Sequence, residues 1–495
     1  MVEYFSHINM ENINTERKTH MIEKVLALYD FASKQEYIYR TSKIKEITGA
    51  SMLLAGFYNA FVEILSKGGI KLKYDLSSKF SVAAFDNNDK IHGEVLYDGG
   101  GNLMVLWKSE KEYKKANELI SVFLLKNAPS LSIIASQVPF TGVFDDKTEG
   151  EKSIVGDRTK LYQANAARKN LFPAFDMPAV MPFTQVDSAT FLPVTYKRSR
   201  DAKGSVYPAA DCSLSSDRYA KAERYRKRYG VSADFFDKDG EGMFAVIYID
   251  GNSMGNKLMA CRSQDYDEGV AKLRSFAQQV NSYFVDAPIK AIEEKQYTFR
   301  QVIGGGDEIT LICPAKNAFE IMKTYFDDLG KPGKEFDCTS CAGVSVFHAK
   351  SPFNVAYDIA QAACEEAKKK AHKEDGNYFC FYYCHSGVTN TFDRLHAAEQ
   401  KHASGKPYKT ADLARIEKYA EMLNAAGRSN VKALGSAAQR GLIDYQFEVQ
   451  RVNAYLEKGT PKFEGDEKEM NLVYDMSEFY DLWFAKEENN NDQNT

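Results

Sequence analysis

The stretch Phe244-Ala245-Val246-Ile247-Tyr248-Ile249-Asp250-Gly251-Asn252-Ser253-Met254-Gly255 decides the fold. Its first six residues are nearly all apolar, which predicts a strand buried on both faces. The run ends on a carboxylate, and Asp250 carries a desolvation cost there unless something compensates it. The residues that follow read as a turn into a helix. Backbone N–H groups at such a helix start form a natural cradle for phosphate oxygens, and Gly251 and Gly255 permit close approach.

Downstream, Val270, Leu273, Phe276, Ala277, Val280, Tyr283 and Phe284 form a stripe of helical period that faces a sheet. Strands at Tyr297–Ile303 and Ile309–Cys313 bracket Gly304-Gly305-Gly306-Asp307-Glu308, a tight hairpin with two carboxylates at its tip. A helix (Ala318–Leu329), a strand (Ala342–Phe347), a helix (Pro352–Lys373) and a strand (Tyr378–Tyr383) follow. In this β-α-β-β-α-β order the first strand and the hairpin are neighbours, so Asp250 can meet Asp307 and Glu308. Three carboxylates that close repel one another without cations. Hard oxygen ligands of this kind suit Mg2+ or Mn2+ held together with a triphosphate. Two such ions can activate a ribose 3′-hydroxyl and stabilise departing pyrophosphate. Each motif alone is an ordinary turn. Their order, on these elements, points to a nucleotide–metal site.

Upstream the same unit is read a second time. The pattern predicts a helix over Glu16–Phe31, a strand over Glu36–Thr41, a helical stretch at Met52–Phe57 and a strand over Phe80–Phe85. A hairpin of Glu94–Tyr97 and Leu103–Trp107 surrounds Gly99-Gly100-Gly101, followed by a helix (Lys111–Lys126) and a strand (Leu131–Ser136). Residues 145–242 are less regular and contain one basic helix, Tyr219–Tyr229, read as a solvated face in preference to an RNA contact. Beyond about Val388 the pattern is helical, and the polar tail Glu487–Thr495 is expected to be disordered.

The bulk numbers agree with a soluble multidomain protein. The chain has 495 residues, enough for two to four domains, with 44% hydrophobic and 27% charged residues. The net charge of −4 offers no global basic field for a nucleic-acid backbone. No signal peptide and no membrane-spanning run is read, so the expected location is cytoplasmic, with no membrane partner. The eight cysteines read as reduced thiols. Cys338 with Cys341, and Cys380 with Cys384 and His385, are read as thiols in preference to a zinc site.

Ile249-Asp250-Gly251-Asn252-Ser253-Met254-Gly255 with Gly304-Gly305-Gly306-Asp307-Glu308 resembles the second palm of the large subunit of type III CRISPR effector complexes. That subunit makes cyclic oligoadenylates from ATP. The site is also similar to the GGDEF domain of diguanylate cyclases. The resemblance implies an α+β fold of two ferredoxin-like palm domains in tandem, with a connecting subdomain and a C-terminal helical domain. The expected boundaries are 1–144 for a degenerate first palm, 145–242 for the connection, 243–387 for the second palm and 388–495 for the helical domain.

It implies a nucleotidyltransferase in which Asp250, Asp307 and Glu308 are catalytic and hold Mg2+ or Mn2+. Gly251, Asn252, Ser253, Met254, Gly255, Gly305 and Gly306 would shape the nucleotide bed. Ala363 to Lys370, followed by Gly376-Asn377, looks like the family's Ala-Lys…Gly-Asn helix end, where a lysine approaches the triphosphate; Lys368 is that candidate. Expected partners are ATP or another nucleoside triphosphate, RNA, CRISPR-type effector subunits and a second copy of the chain.

Tyr39 to Ser51 looks like the Arg-Lys…Gly-Ser segment of the first palm. Gly99 to Leu103 aligns with Gly304 to Glu308, so Asn102 and Leu103 replace both carboxylates, and no aspartate stands opposite Asp250 near Thr41. The first palm is expected to hold no metal. No His-Asp pair suggests an HD nuclease, and the family's zinc cysteines between the palms are reduced to Cys212. Asn252 stands where relatives often carry a second aspartate. The rival readings are a template-dependent polymerase and a structural or nucleotide-sensing subunit without turnover.

Overall fold

The computed structural model describes residues 24–41, 44–149, 152–171, 184–187, 192–194, 196–199, 206–209, 242–331, 336, 338–349, 351–384, 391–400 and 404–485. The first domain runs β1 (Val25–Ala32), α1 (Lys34–Tyr39), α2 (Ile44–Lys67), β2 (Leu72–Lys73), α3 (Val82–Asp86), β3 (Gly93–Gly99), β4 (Asn102–Trp107), α4 (Glu110–Asn127) and β5 (Ser132–Pro139). Its sheet has the order β2-β3-β4-β1-β5.

Three sequence expectations are corrected here. The expected helix Glu16–Phe31 is, from Val25 onward, strand β1; its earlier part lies outside the described residues. Val25, Ala27 and Tyr29 pack toward α2 and α4, while Leu26 and Leu28 pack on the opposite face, so both faces are buried and the strand shows no alternation. The expected strand Glu36–Thr41 is the short helix α1. Ser33, at φ 50°, turns the chain out of β1, and Tyr37 and Ile38 are buried from one helical turn, so packing overrides a β-rich composition. The expected strand Phe80–Phe85 is extended only at its start. Val82 then begins α3, and its backbone N–H donates to the Asp267 carboxylate at 2.7 Å.

In the connecting region β6 (Lys147–Glu149) and β7 (Lys152–Ile154) form a hairpin, α5 (Asp157–Leu171) packs on β5 and β1, and β8 (Tyr196–Ser199) pairs with β9 (Val206–Ala209). The basic helix Tyr219–Tyr229 and Cys212 lie outside the described residues.

The second domain runs β10 (Met243–Gly251), α6 (Met254–Ala260), α7 (Tyr266–Asn281), a π turn (Ser282–Asp286), α8 (Ala287–Glu294), β11 (Arg300–Gly305), β12 (Glu308–Pro314), α9 (Ala318–Leu329), β13 (Ser340–His348), α10 (Phe353–Ala371) and β14 (Tyr378–Tyr383). The C-terminal part follows as α11 (Phe392–Gln400), β15 (Tyr408–Lys409), α12 (Leu413–Ala426), α13 (Arg428–Arg440), α14 (Leu442–Tyr455) and α15 (Glu467–Phe479). This region is helical except for β15, which extends the second sheet to the order β11-β12-β10-β13-β14-β15.

The four strands β3-β4-β1-β5 match β11-β12-β10-β13 in order and direction. Each hairpin carries an irregularity at the same distance from its turn, between Val95 and Tyr97 and between Gln301 and Ile303. The two domains are therefore two copies of one ferredoxin-like unit.

The copies exchange contacts. Helix α2 reaches β11 of the second domain, and α7 reaches β3 of the first. Val270 and Leu273 of α7 pack on Leu28, Leu96 and Met104. Arg274 of α7 donates to three first-domain carbonyls, Leu96 from Nε at 2.8 Å, Ser78 from Nη1 at 2.7 Å and Val95 from Nη2 at 2.7 Å. Among the described helices α2 alone is long and apolar enough to cross a membrane, and it buries Ala50, Phe57, Phe61 and Leu65 in this shared core.

Candidate functional site

The buried strand β10 delivers Asp250 to the sheet edge, where it pairs with Glu308 of β12 on one side and Cys341 of β13 on the other. Glu308 also pairs with Gly305 across the β11–β12 hairpin, which leaves Gly306 and Asp307 as the two turn residues. Gly306 has φ +67°, a conformation glycine adopts without strain. The backbone N–H of Gly251 donates to the Asp307 carbonyl at 3.2 Å. A Cβ on Gly251 would lie 2.8 Å from the Asp307 Cβ, so only glycine lets the turn rest on the strand end. The sheet thus brings Asp250, Asp307 and Glu308 to one place.

Their charges are only partly compensated. Lys368 of α10 places Nζ 2.7 Å from Asp250 Oδ2. Lys34 of α1, in the first domain, places Nζ 3.7 Å from Glu308 Oε2. The Gln35 side chain lies close enough to favour the charged form of Glu308, whose Oε1 is buried without a hydrogen-bond partner. Burial, reinforced by the neighbouring Asp250 charge, pushes the Asp307 carboxyl up to about 6. Burial raises Glu308 as well, against the lowering effect of Lys34. For Lys368, burial acts to lower its pKa, but Asp250 outweighs it and holds the ammonium above its ordinary range. Among the described residues no three His, Cys, Asp or Glu side chains converge as a ready-made metal ligand set. In this arrangement Asp250 and Glu308 instead face lysines.

The remaining sequence-predicted residues divide. Asn252 is 8% exposed; its N–H donates to the Thr339 carbonyl at 2.7 Å and its Nδ2 to Thr339 Oγ1 at 2.9 Å and Cys341 Sγ at 3.4 Å. Its amide therefore anchors the loop to the segment around β13. Ser253, at φ 57°, starts α6, Met254 packs against the second-domain core, and Gly255 has open space where a Cβ would point.

The sequence named no first-domain residue at the site. Lys34 and Gln35 reach Glu308, and Tyr39 stacks on Tyr357 of α10 with ring centroids 3.8 Å apart. Local pattern carries no sign of a partner from another domain. It also missed the counterpart of Asp250, which is Asp30 and not a position near Thr41. Asp30 pairs with Asn102 and Ile134 as Asp250 pairs with Glu308 and Cys341. Because Gly99 pairs with Asn102, Asn102 stands for Glu308 and Gly101 for Asp307, one place off the sequence alignment. Asp30 accepts from Asn165 Nδ2 at 2.9 Å and is ion-paired with Lys169 of α5.

Residues 243–376, which carry Asp250, the Gly-Gly-Asp-Glu hairpin and Lys368, match the family model "Cas10/Cmr2, second palm domain". This segment is similar to a Cas10/Cmr2 second palm domain. Similar solved structures include the Csm1–Csm4 cassette in complex with cA4, 14% identical with a TM-score of 0.46, covering 92% of this chain and 70% of that one. The apo Csm1–Csm4 cassette is 14% identical with a TM-score of 0.47, covering 94% and 72%. Csm1 in T. onnurineus is 15% identical with a TM-score of 0.45, covering 91% and 70%. No curated protein matches the chain. The site described above is the hairpin edge of the second palm, faced by α1 of the first.

Proposed function

We propose that the chain is the palm subunit of a type III CRISPR-type effector, and that its second palm condenses nucleoside triphosphates, ATP foremost, into a cyclic oligonucleotide signal. One observation carries the reading: Asp250, Asp307 and Glu308 meet at one sheet edge inside the segment that matches the Cas10/Cmr2 second palm.

The chemistry of the three carboxylates suits a hard divalent cation, for which their side chains would have to draw together from the lysine-paired arrangement. Glu308 Oε1 is buried and unpartnered, and burial, with the Asp250 charge beside it, makes Asp307 resist ionisation. Asp250, Asp307 and Glu308 would hold Mg2+ or Mn2+, which when bound neutralises the triphosphate and lowers the pKa of a ribose 3′-hydroxyl. The chain's own part is positioning. Gly251 and Gly306 let backbone approach the polyphosphate, and the turn at Ser253 into α6 follows Asp250 directly. The Lys368 ammonium adds positive charge there. Tyr39 of the first domain and Tyr357 of the second stack on each other beside Glu308. Effector subunits of the Csm4 type, RNA and a second copy of the chain are the proposed partners.

A second reading has one observation in its favour: lysines already face Asp250 and Glu308, as in a nucleotide-sensing subunit without turnover. The same experiment separates the two. The purified chain is incubated with each triphosphate and Mg2+ or Mn2+, with and without RNA, and products are identified by mass. The proposal expects a cyclic or linear oligonucleotide and pyrophosphate from the native chain and none from Asp307→Ala/Glu308→Ala. Undiminished product from that double variant would falsify the assignment, and calorimetric ATP binding without pyrophosphate release would favour sensing.

A further inference from the structure

The two lysines at the carboxylates come from different domains and differ in setting. Lys368 lies on α10 behind the sheet, its side chain 17% exposed, and bonds Asp250 at 2.7 Å. Lys34 belongs to the first palm, is 40% exposed and stands off Glu308 at 3.7 Å. A lysine carries a compact charge on a flexible four-carbon stem, so its ammonium can leave one anion for another without moving the backbone. An ammonium and a divalent cation cannot share one carboxylate cheaply, because like charges a few ångströms apart repel strongly in a partly buried site.

We infer that Lys34 and Lys368 are placeholder counter-ions, which a divalent cation displaces from Glu308 and Asp250 and thereby frees for the polyphosphate of the bound nucleotide. The inference rests on the reading of the second palm as a cation-dependent nucleotide site. It adds a first-palm residue to that site and a consequence for the interface. The Lys34–Glu308 pair spans the two palms, so cation binding in the second palm releases one contact with the first. The first palm supplies the contrast. There Lys169 pairs with Asp30, Asn165 holds the same carboxylate, and the hairpin positions equivalent to Asp307 and Glu308 are Gly101 and Asn102, neither of them a carboxylate.

The test is a Mn2+ titration followed by electron paramagnetic resonance on the full chain without nucleotide, for the native protein, Lys34→Met, Lys368→Met and Lys34→Arg. Removing a competing charge should tighten Mn2+ binding roughly threefold or more in each methionine variant, with Lys34→Arg close to native. Affinity for a non-hydrolysable ATP analogue in Mn2+ should fall by a similar factor in the same two variants. Mn2+ binding unchanged or weakened in both methionine variants overturns the inference, as does undiminished affinity for the analogue. A native chain that binds no Mn2+, or binds it equally after Asp307→Ala/Glu308→Ala, overturns the cation reading itself.

Discussion

The two palm hairpins are built on one register with opposite choices of side chain. In the second palm the strand residue after the aspartate is Gly251 and the turn carries Asp307; a Cβ on Gly251 would strike that side chain at 2.8 Å. In the first palm the strand residue is Phe31 and the turn residue is Gly101, with Phe31 Cδ2 3.6 Å from where a Gly101 Cβ would be. Phe31 stacks on Tyr58 at 5.3 Å and meets Phe57 edge-on at 5.6 Å, so an aromatic cluster fills the place where the second palm keeps a carboxylate. One edge is sealed by packing. The other is left polar and incompletely paired. Loss of the first site therefore lies in the exchange of bulk between strand and turn as well as in missing acids, since Asp30 is retained.

The sharpest way to break the comparison is to remove the equivalent aspartates. Asp250→Ala should lower product formation by about 10²–10³-fold, the usual scale for losing one preorganised electrostatic group. Asp30→Ala should instead leave the second palm's Mn2+ affinity unchanged and destabilise the fold by roughly 1–3 kcal/mol, because Asn165 loses its acceptor. Urea unfolding and product mass read the two effects separately. Next in size is the strut between the copies. Arg274→Ala strips three carbonyls of their donor and should cost roughly 2–3 kcal/mol, read as a lower urea midpoint.

A third pair tests the exchange of bulk. Gly251→Ala should lift the hairpin from β10 and reduce turnover by about 10–100-fold, since displacements near 1 Å carry penalties of that order. Gly101→Ala makes only ordinary van der Waals contact, with Phe31 Cδ2 at 3.6 Å, but sits at φ +85°, so it should cost only about 1 kcal/mol of stability and leave turnover intact. The smallest effect concerns pH. The Asp307 carboxyl is raised from 3.8 to about 6 in the folded chain, so the folded state binds the proton more tightly than the unfolded one. The cost of keeping it ionised is fully present above the folded pKa and disappears below the unfolded one. Asp307→Asn should therefore stabilise the metal-free protein by on the order of 1–2 kcal/mol at neutral pH, with the gain shrinking toward about pH 4. A thermal melt series across that range, with no added cation, checks it.

Much of the second palm was legible because its strands are uninterrupted apolar runs and its hairpin is marked by glycines. Asp250, Asp307, Glu308 and Lys368 fall together as that reading expects. The first palm was harder for a physical reason. Val25–Ala32 is buried on both faces, so its pattern does not alternate, whereas Glu36–Thr41 is rich in aromatic and β-branched residues yet its Glu36–Tyr39 part is helical. Misplacing that strand hid Asp30, although Leu26 to Tyr29 leading into Asp30 mirrors Val246 to Ile249 leading into Asp250. Lys34 and Gln35 act across a domain boundary, and no local period encodes such a contact.

The central claim is that one of two duplicated sites binds cation and nucleotide while the other does not. Equilibrium binding of a non-hydrolysable ATP analogue in Mn2+, compared among the native chain, Asp30→Asn and Asp250→Asn, tests it most directly. The account predicts native-like binding by Asp30→Asn and loss of binding by Asp250→Asn. Loss in Asp30→Asn with native affinity in Asp250→Asn would contradict it.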